Sequence, residues 1–199
     1  MAELSGSQLA GGNPTRGRVD NDYYATPPIA TNMLLDNFDV RLTGNNFLEP
    51  CCGGGHIANA IKDYYGDVNI DCMDLVDRGY PNTKIQDFLE YKPNTEWDAI
   101  VTNPPYSLAA EFIMKSMECL KDGGVLAMFL KVQFLEGQGR KVLFDKYPPK
   151  YVYVFRKRIG PWRNGEEFDE KGKPWASTMC FAWFVWVKGS TSEPIIRWL

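Results

Sequence analysis

Asn46-Phe47-Leu48-Glu49-Pro50-Cys51-Cys52-Gly53-Gly54-Gly55-His56-Ile57-Ala58 passes from a short apolar run through three consecutive glycines into a helical pattern. This reads as strand, tight turn and helix, the glycines permitting backbone conformations that a Cβ forbids. The same alternation continues downstream. Apolar runs at 46–50, 68–74, 97–102 and 124–131 read as strands, and helical patterns cover 55–65, 107–121 and 137–146. Strands alternating with helices define an α/β fold on a mostly parallel sheet. Val125 to Leu130 is continuously apolar, as a strand covered on both faces requires.

The two ends of the chain read differently. Residues 1–20 are rich in Gly and poor in apolar side chains, and predict a flexible arm ahead of one domain spanning 21–199. Pro27-Pro28 forbids a helix continuing from before it, and Ile29, Met33, Leu34 and Leu35 predict an amphipathic helix starting there. Near the other end, Tyr151 to Phe155 and Thr178 to Val187 are β-prone with no helical pattern between them, so as neighbours they pair antiparallel. The second is almost wholly apolar and is expected to be central, leaving the first at the sheet edge. Gly160 to Ser177 is a polar stretch long enough to expect either a function or disorder without substrate.

Composition limits the function classes. The chain has 199 residues, 44% apolar and 24% charged, which is ordinary for a globular protein and allows one sizeable core. Its formal net charge of −3 is the wrong sign for gripping nucleic acid with the whole surface. Five cysteines without a C-x-x-C spacing fit neither a disulfide framework nor a zinc site, and no metal is expected. Cys51 and Cys52 are read as small packing residues. No stretch reads as a signal peptide or a membrane span, so a cytoplasmic protein without membrane contact is expected.

The glycine loop leaves two ligand readings open. Gly53-x-Gly55-x-x-Ala58 satisfies the dinucleotide fingerprint, and Asp74, 21 residues after Gly53, is placed to accept ribose hydroxyls, as in an NAD-dependent oxidoreductase. In that fingerprint, however, the strand turns directly into the first glycine to hold a pyrophosphate on the helix N-terminus. Here Glu49-Pro50-Cys51-Cys52 intervenes, and a carboxylate at the strand tip repels phosphate but suits a cationic ligand.

A second motif weighs between them. Trp97-Asp98-Ala99-Ile100-Val101-Thr102 runs as a strand straight into Asn103-Pro104-Pro105-Tyr106. With Glu49-Pro50-x-x-Gly53-x-Gly55 before it, the chain resembles the amino-group methyltransferases that use S-adenosylmethionine, whose [D/N]-P-P-[Y/F/W] motif follows the fourth strand. The resemblance implies a Rossmann-like class I methyltransferase fold, with a doubly wound seven-stranded sheet ending in a C-terminal antiparallel hairpin. It also implies that the Asn103 side-chain oxygen and the Pro104 carbonyl accept from the two N–H bonds of a target amino group. Such acceptors favour a tetrahedral nitrogen and stabilise its developing positive charge. Pro105 lacks an N–H and stiffens the turn, and Tyr106 offers a face on which a planar base stacks. The tetrapeptide is therefore the expected catalytic element.

The target remains to be chosen from elsewhere in the chain. Tyr23-Tyr24-Ala25-Thr26-Pro27 resembles the element preceding the glycine motif in γ-class DNA adenine methyltransferases, which implies that Tyr24, Thr26 and Pro27 pack over the methionine end of the cofactor. Asp87-Phe88 looks like the acid-aromatic pair on the cofactor adenine. The expected cofactor contacts are then Tyr24, Thr26, Pro27, Glu49, Pro50, Cys51, Gly53, Gly55, Asp74, Asp87, Phe88 and Asn103. Leu130 to Gly137, with Arg140 and then Val154 to Ile159, looks like the compact adenine methyltransferases of phages and prophages. Gln138 to Arg163 independently carries eight basic residues and one acidic, a net of +7 against −10 elsewhere. This predicts a phosphate-contacting surface with Lys131, Arg140, Arg156, Lys157, Arg158 and Trp162 at the substrate. N6-adenine methylation of DNA is the expected activity. RNA base amino groups and protein glutamine amides are alternatives with the same chemistry.

Overall fold

The strand-turn-helix of 46–58 forms as expected: Asn46–Glu49 is a strand (β2) and His56–Tyr65 a helix (α2). The computed structural model describes residues 23–175 and 177–199, and the arm expected over 1–20 lies outside the described residues. In chain order the remaining elements are β1 (Tyr24–Ala25), α1 (Pro28–Asn37), β3 (Asn69–Asp74), β4 (Lys84–Ile85), β5 (Trp97–Thr102), α3 (Ala109–Cys119), β6 (Leu120–Lys131), α4 (Lys141–Lys146), β7 (Tyr151–Val154), β8 (Trp162–Arg163), β9 (Phe181–Val187) and β10 (Ile195–Trp198). Pro28 opens α1, where its missing N–H is not needed.

Eight strands form the main sheet in the order β10-β7-β9-β6-β5-β2-β3-β4. All neighbours pair parallel except that β9 runs antiparallel to both β6 and β7. The expected hairpin partners are therefore right, and β9 is central. Two expectations are corrected. The sheet has eight strands and not seven, and β7 is not its edge, because Ile195 to Trp198 pair with Tyr151 to Val154. Four residues following a polar stretch are too short a run to stand out as a strand, and all four are exposed.

Period-two alternation places one core on each side of the sheet. Val125, Ala127 and Phe129 of β6 face α1 and α2 with Leu34, Ile57, Ile61 and Trp183. Leu126, Met128 and Leu130 face the other way, with Phe112, Ile113 and Met117 of α3 and with Phe184. The Trp183 indole N–H donates to the Ala30 carbonyl at 2.8 Å, tying α1 onto the central strand. With both faces of the sheet covered, the carboxyl ends of β2, β3 and β5 open onto one cavity.

A two-residue ribbon lies outside the main sheet. β1 pairs antiparallel with β8, Tyr24 opposite Arg163 and Ala25 opposite Trp162. The 160–177 stretch, whose polar composition suggests disorder without substrate, thus supplies a strand to the segment just before α1.

Candidate active site

Glu49 ends β2 with its side chain buried, and its carboxylate accepts from the Ala58 N–H in the first turn of α2 at 2.9 Å. The positive end of that helix is therefore held by the chain's own acid. Burial pushes the Glu49 carboxyl well above its ordinary range, a cost of charging that a cation in the cavity offsets. Asp74, at the tip of β3, accepts from the Gly53 N–H at 2.8 Å and from the Val76 N–H at 3.0 Å. The Gly54 N–H donates to the Tyr23 hydroxyl at 3.0 Å. Donors that would hold a pyrophosphate are thus taken by side chains of the protein.

Glycine is required at the turn for a reason the sequence does not show. Gly53 has φ +50° and Gly55 φ +78°, and a Cβ added at either would lie 2.3 Å from the Tyr23 ring or 2.0 Å from the Tyr80 ring. The two aromatic rings, and not an open cradle, occupy the space above these glycines. Neither glycine lines the cavity, and nor does Pro27.

The cavity has a volume of about 450 Å3, within the range of pockets for small organic ligands. Tyr24, Thr26, Glu49, Pro50, Cys51, Asp74, Asp87, Phe88 and Asn103 all line it, so most of the expected cofactor contacts converge. Phe88 is buried and packs on Phe112 with ring centroids 5.2 Å apart, while Asp87 accepts from the Leu89 N–H at 2.8 Å. Burial raises the Cys51 thiol well above its ordinary pKa, which removes it as a nucleophile. Sequence reasoning missed Tyr23, Gln86, Phe112 and Arg78, the last lying 4.1 Å over the Tyr23 ring. Among the described residues Arg78 is the lone Lys or Arg of the lining, against three carboxylates. His56, read as a loop or packing residue, also lines the cavity. Burial lowers its pKa, so it is neutral near pH 7.

The lining fits S-adenosylmethionine. Thr26 is buried with its hydroxyl lacking a partner among the described residues, a cost that a polar ligand in the cavity relieves. The excess of carboxylates matches an ammonium and a sulfonium. Glu49, Asp74, Asp87 and Thr26 would hold the polar groups, and Phe88 would cover the base.

Asn103 sits where β5 ends, and its side-chain N–H donates to the Tyr24 carbonyl at 2.7 Å. A carbonyl can only accept, so this bond fixes the amide orientation and leaves the Asn103 oxygen as the acceptor. The next turn, Tyr106–Leu108, is closed by Leu108 N–H on the Pro105 carbonyl at 2.9 Å, one residue beyond Pro104. The Tyr106 ring lies 5.9 Å from that of Phe181, with the Lys131 ammonium 5.3 Å from its centre.

The basic segment divides between two ends of the sheet. Lys131 pairs with Phe181 and Val154 with Ala182, so β6 and β7 end on the edge that carries Asn103. Arg156, Lys157 and Arg158 leave β7 there and are exposed. Arg158 donates to the Thr178 carbonyl and Arg140 to the Glu136 carbonyl. Lys150 bonds the Val185 carbonyl at the opposite end of β7, and Lys146 lies at the far end of α4. Tyr151 and Tyr153 pack on Phe38 with ring centroids 5.6 and 6.3 Å away. Trp162 lies in β8 with its ring edge-on to His56 at 5.7 Å, and it does not line the cavity.

The mostly parallel sheet with helices on both faces is a Rossmann-like fold, and solved structures of class I methyltransferases share it. The chain is similar to a Listeria monocytogenes protein assigned to the class I S-adenosylmethionine-dependent methyltransferases, with 15% identity, 93% of this chain and 68% of that chain covered, and a TM-score of 0.61. It is also similar to the methyltransferase subunit of a type I restriction-modification system from Streptococcus thermophilus, with 17% identity over 87% of this chain and a TM-score of 0.62. This chain spans about half, 47%, of that subunit. An S-adenosylmethionine-dependent O-methyltransferase from Thermotoga maritima matches at 16% identity, covering 86% of this chain and 69% of the other, with a TM-score of 0.57. No family model matches the chain. Among the described residues no helix is long and apolar enough to cross a membrane.

Proposed function

We propose that this protein transfers a methyl group from S-adenosylmethionine to the N6 amino group of adenine in DNA. The observation that carries the amino-group chemistry is the Asn103 amide, locked by Tyr24 so that its oxygen is the free acceptor at the cavity. The cofactor, when bound, supplies an electrophilic methyl group on a sulfonium. Asn103 and the Pro104 carbonyl orient the amino nitrogen by accepting from its two N–H bonds, and they stabilise the charge that grows on it. Glu49 and Asp74 keep the cavity electronegative. Their use of the helix and loop N–H groups disfavours a nicotinamide dinucleotide, whose pyrophosphate needs those donors.

Two features favour nucleic acid as the acceptor. Exposed Arg156, Lys157 and Arg158 stand at the same sheet edge as Asn103, and the fold is shared with a restriction-modification methyltransferase subunit. Duplex adenine must leave the stack to present N6 in line, so a flipped or unpaired base is the form bound. The test is incubation of the protein with labelled S-adenosylmethionine and DNA, RNA or protein, followed by nucleoside mass spectrometry. N6-methyladenine in DNA is expected. Label confined to RNA or to glutamine amides overturns the substrate, and binding of NAD in place of S-adenosylmethionine overturns the cofactor.

A further inference from the structure

The Asn103 amide is not held by its own loop. Its partner carbonyl belongs to Tyr24, in a strand of two residues whose partner is β8, drawn from the polar 160–177 stretch. A ribbon this short has little stability alone and needs anchors on both strands. β1 has an anchor in Tyr23, whose hydroxyl accepts from Gly54 and whose carbonyl accepts from the Asn164 N–H at 3.2 Å. β8 has Trp162, whose ring meets the His56 ring at 87° where α2 begins. Tyr23, Tyr24, Ala25 and Thr26 line the cavity, whereas Trp162 and Arg163 do not, so β8 forms a layer behind the lining.

We propose that Trp162 is a positioning residue for methyl transfer: by anchoring β8 to α2 it fixes the height of the Tyr24 carbonyl, and through it the direction of the Asn103 acceptor. Trp162 needs no contact with substrate for this. Loss of this anchor leaves the ribbon held by Tyr23 alone, so the Tyr24 carbonyl shifts and the Asn103 amide turns or exchanges with water instead of holding one orientation. Small misplacements of a reacting or orienting group cost large factors in rate. The inference rests on the reading of Asn103 as the amino-group acceptor, but the geometry can be read without turnover.

The experiment uses the full chain and compares wild type with Trp162→Ala and Trp162→Phe. The Asn103 side-chain amide is followed in 1H–15N spectra, its signal assigned by its absence in Asn103→Ala. In Trp162→Ala that signal is expected to move to a solvent-exposed position, and kcat to fall by about tenfold or more, while KM for DNA and the S-adenosylmethionine affinity stay within about threefold. Trp162→Phe is expected to restore most of both. Should Trp162→Ala fail to fold, Trp162→Leu keeps apolar volume without the ring edge and carries the same expectation. An unmoved amide signal with wild-type kcat, or equal losses in kcat and in KM for DNA, overturns the positioning role. Absence of transfer by wild type to any amino acceptor overturns the functional reading instead, and a displaced amide signal still upholds the geometric link.

Discussion

The side chain of Asn103 and the backbone carbonyl of Tyr24, 79 residues apart in sequence, meet at 2.7 Å. The contact joins the segment before α1 to the turn after β5. It turns an amide that could point either way into a directed acceptor.

Asn103→Ala removes the acceptor and is expected to lower methyl transfer by at least about a thousandfold, with S-adenosylmethionine affinity changed little. Asn103→Asp is the sharper variant. It keeps an acceptor at the cavity but sets a carboxylate oxygen against the Tyr24 carbonyl, so a loss of about 1–3 kcal/mol, or about five- to 150-fold in kcat, is expected. Steady-state kinetics and calorimetric cofactor binding separate the two effects. Full activity in Asn103→Asp would show that the Tyr24 contact does not matter.

Glu49 is raised by burial, and the sign of its pH effect follows from linkage. Its contribution to stability is complete below the ordinary glutamate range and is lost as pH rises through its elevated folded-state value. Glu49→Gln keeps an oxygen for the Ala58 N–H without the buried ionisation. Its melting temperature is expected to depend less on pH than that of wild type, and to exceed it on the alkaline side. Binding of S-adenosylmethionine should strengthen with pH in wild type and lose that dependence in the variant. Melting curves and binding titrations across pH 5 to about 9 are the check.

The split of the basic segment predicts an asymmetric mutational map. Changing Arg156, Lys157 and Arg158 together to Gln should weaken DNA binding across sequences and make the salt dependence shallower, by about 0.9 in slope for each duplex phosphate that is no longer neutralised. Lys146→Gln with Lys150→Gln should leave both nearly unchanged, since these residues lie at the other end of the sheet. Equal effects from both sets, in filter-binding or anisotropy titrations over a salt series, would contradict this surface.

Gly55→Ala meets the Tyr80 ring and a left-handed backbone at once, and is expected to cost about 1–3 kcal/mol. For a chain of this length that is a drop of about 2–4 °C in melting temperature per kcal/mol. Combining it with Tyr80→Ala should recover the part due to the clash and leave the part due to φ. Thermal melts of the single and double variants measure the split.

Local chemistry is legible in the sequence because it is carried by contiguous residues. Strand, turn and helix over 46–65 need only apolar spacing and glycine, and Pro28 fixes the start of α1. Asn103 to Tyr106 suggests an amino-group acceptor through its resemblance to the N-P-P-Y methyltransferases, in which two acceptors and a stiff turn are adjacent. What escapes depends on pairs far apart in the chain. The Trp198 strand is short and exposed, so no periodicity marks it, and only its bonds to β7 define it. Tyr23 and Tyr80 decide why Gly53 and Gly55 are glycine, yet they lie 30 and 25 residues from them.

The sequence by itself thus determined the alternation of strands and helices, the acidic glycine loop and the tetrapeptide, since each rests on near-neighbour spacing and side-chain chemistry. Tertiary structure alone decided which basic residues lie at the Asn103 end of the sheet, because strand direction sends Arg156 and Lys150 to opposite ends. It also decided which way the Asn103 amide faces. An amide has no preferred side until a partner of one polarity approaches, and that partner, the Tyr24 carbonyl, is brought there by the folding of the chain.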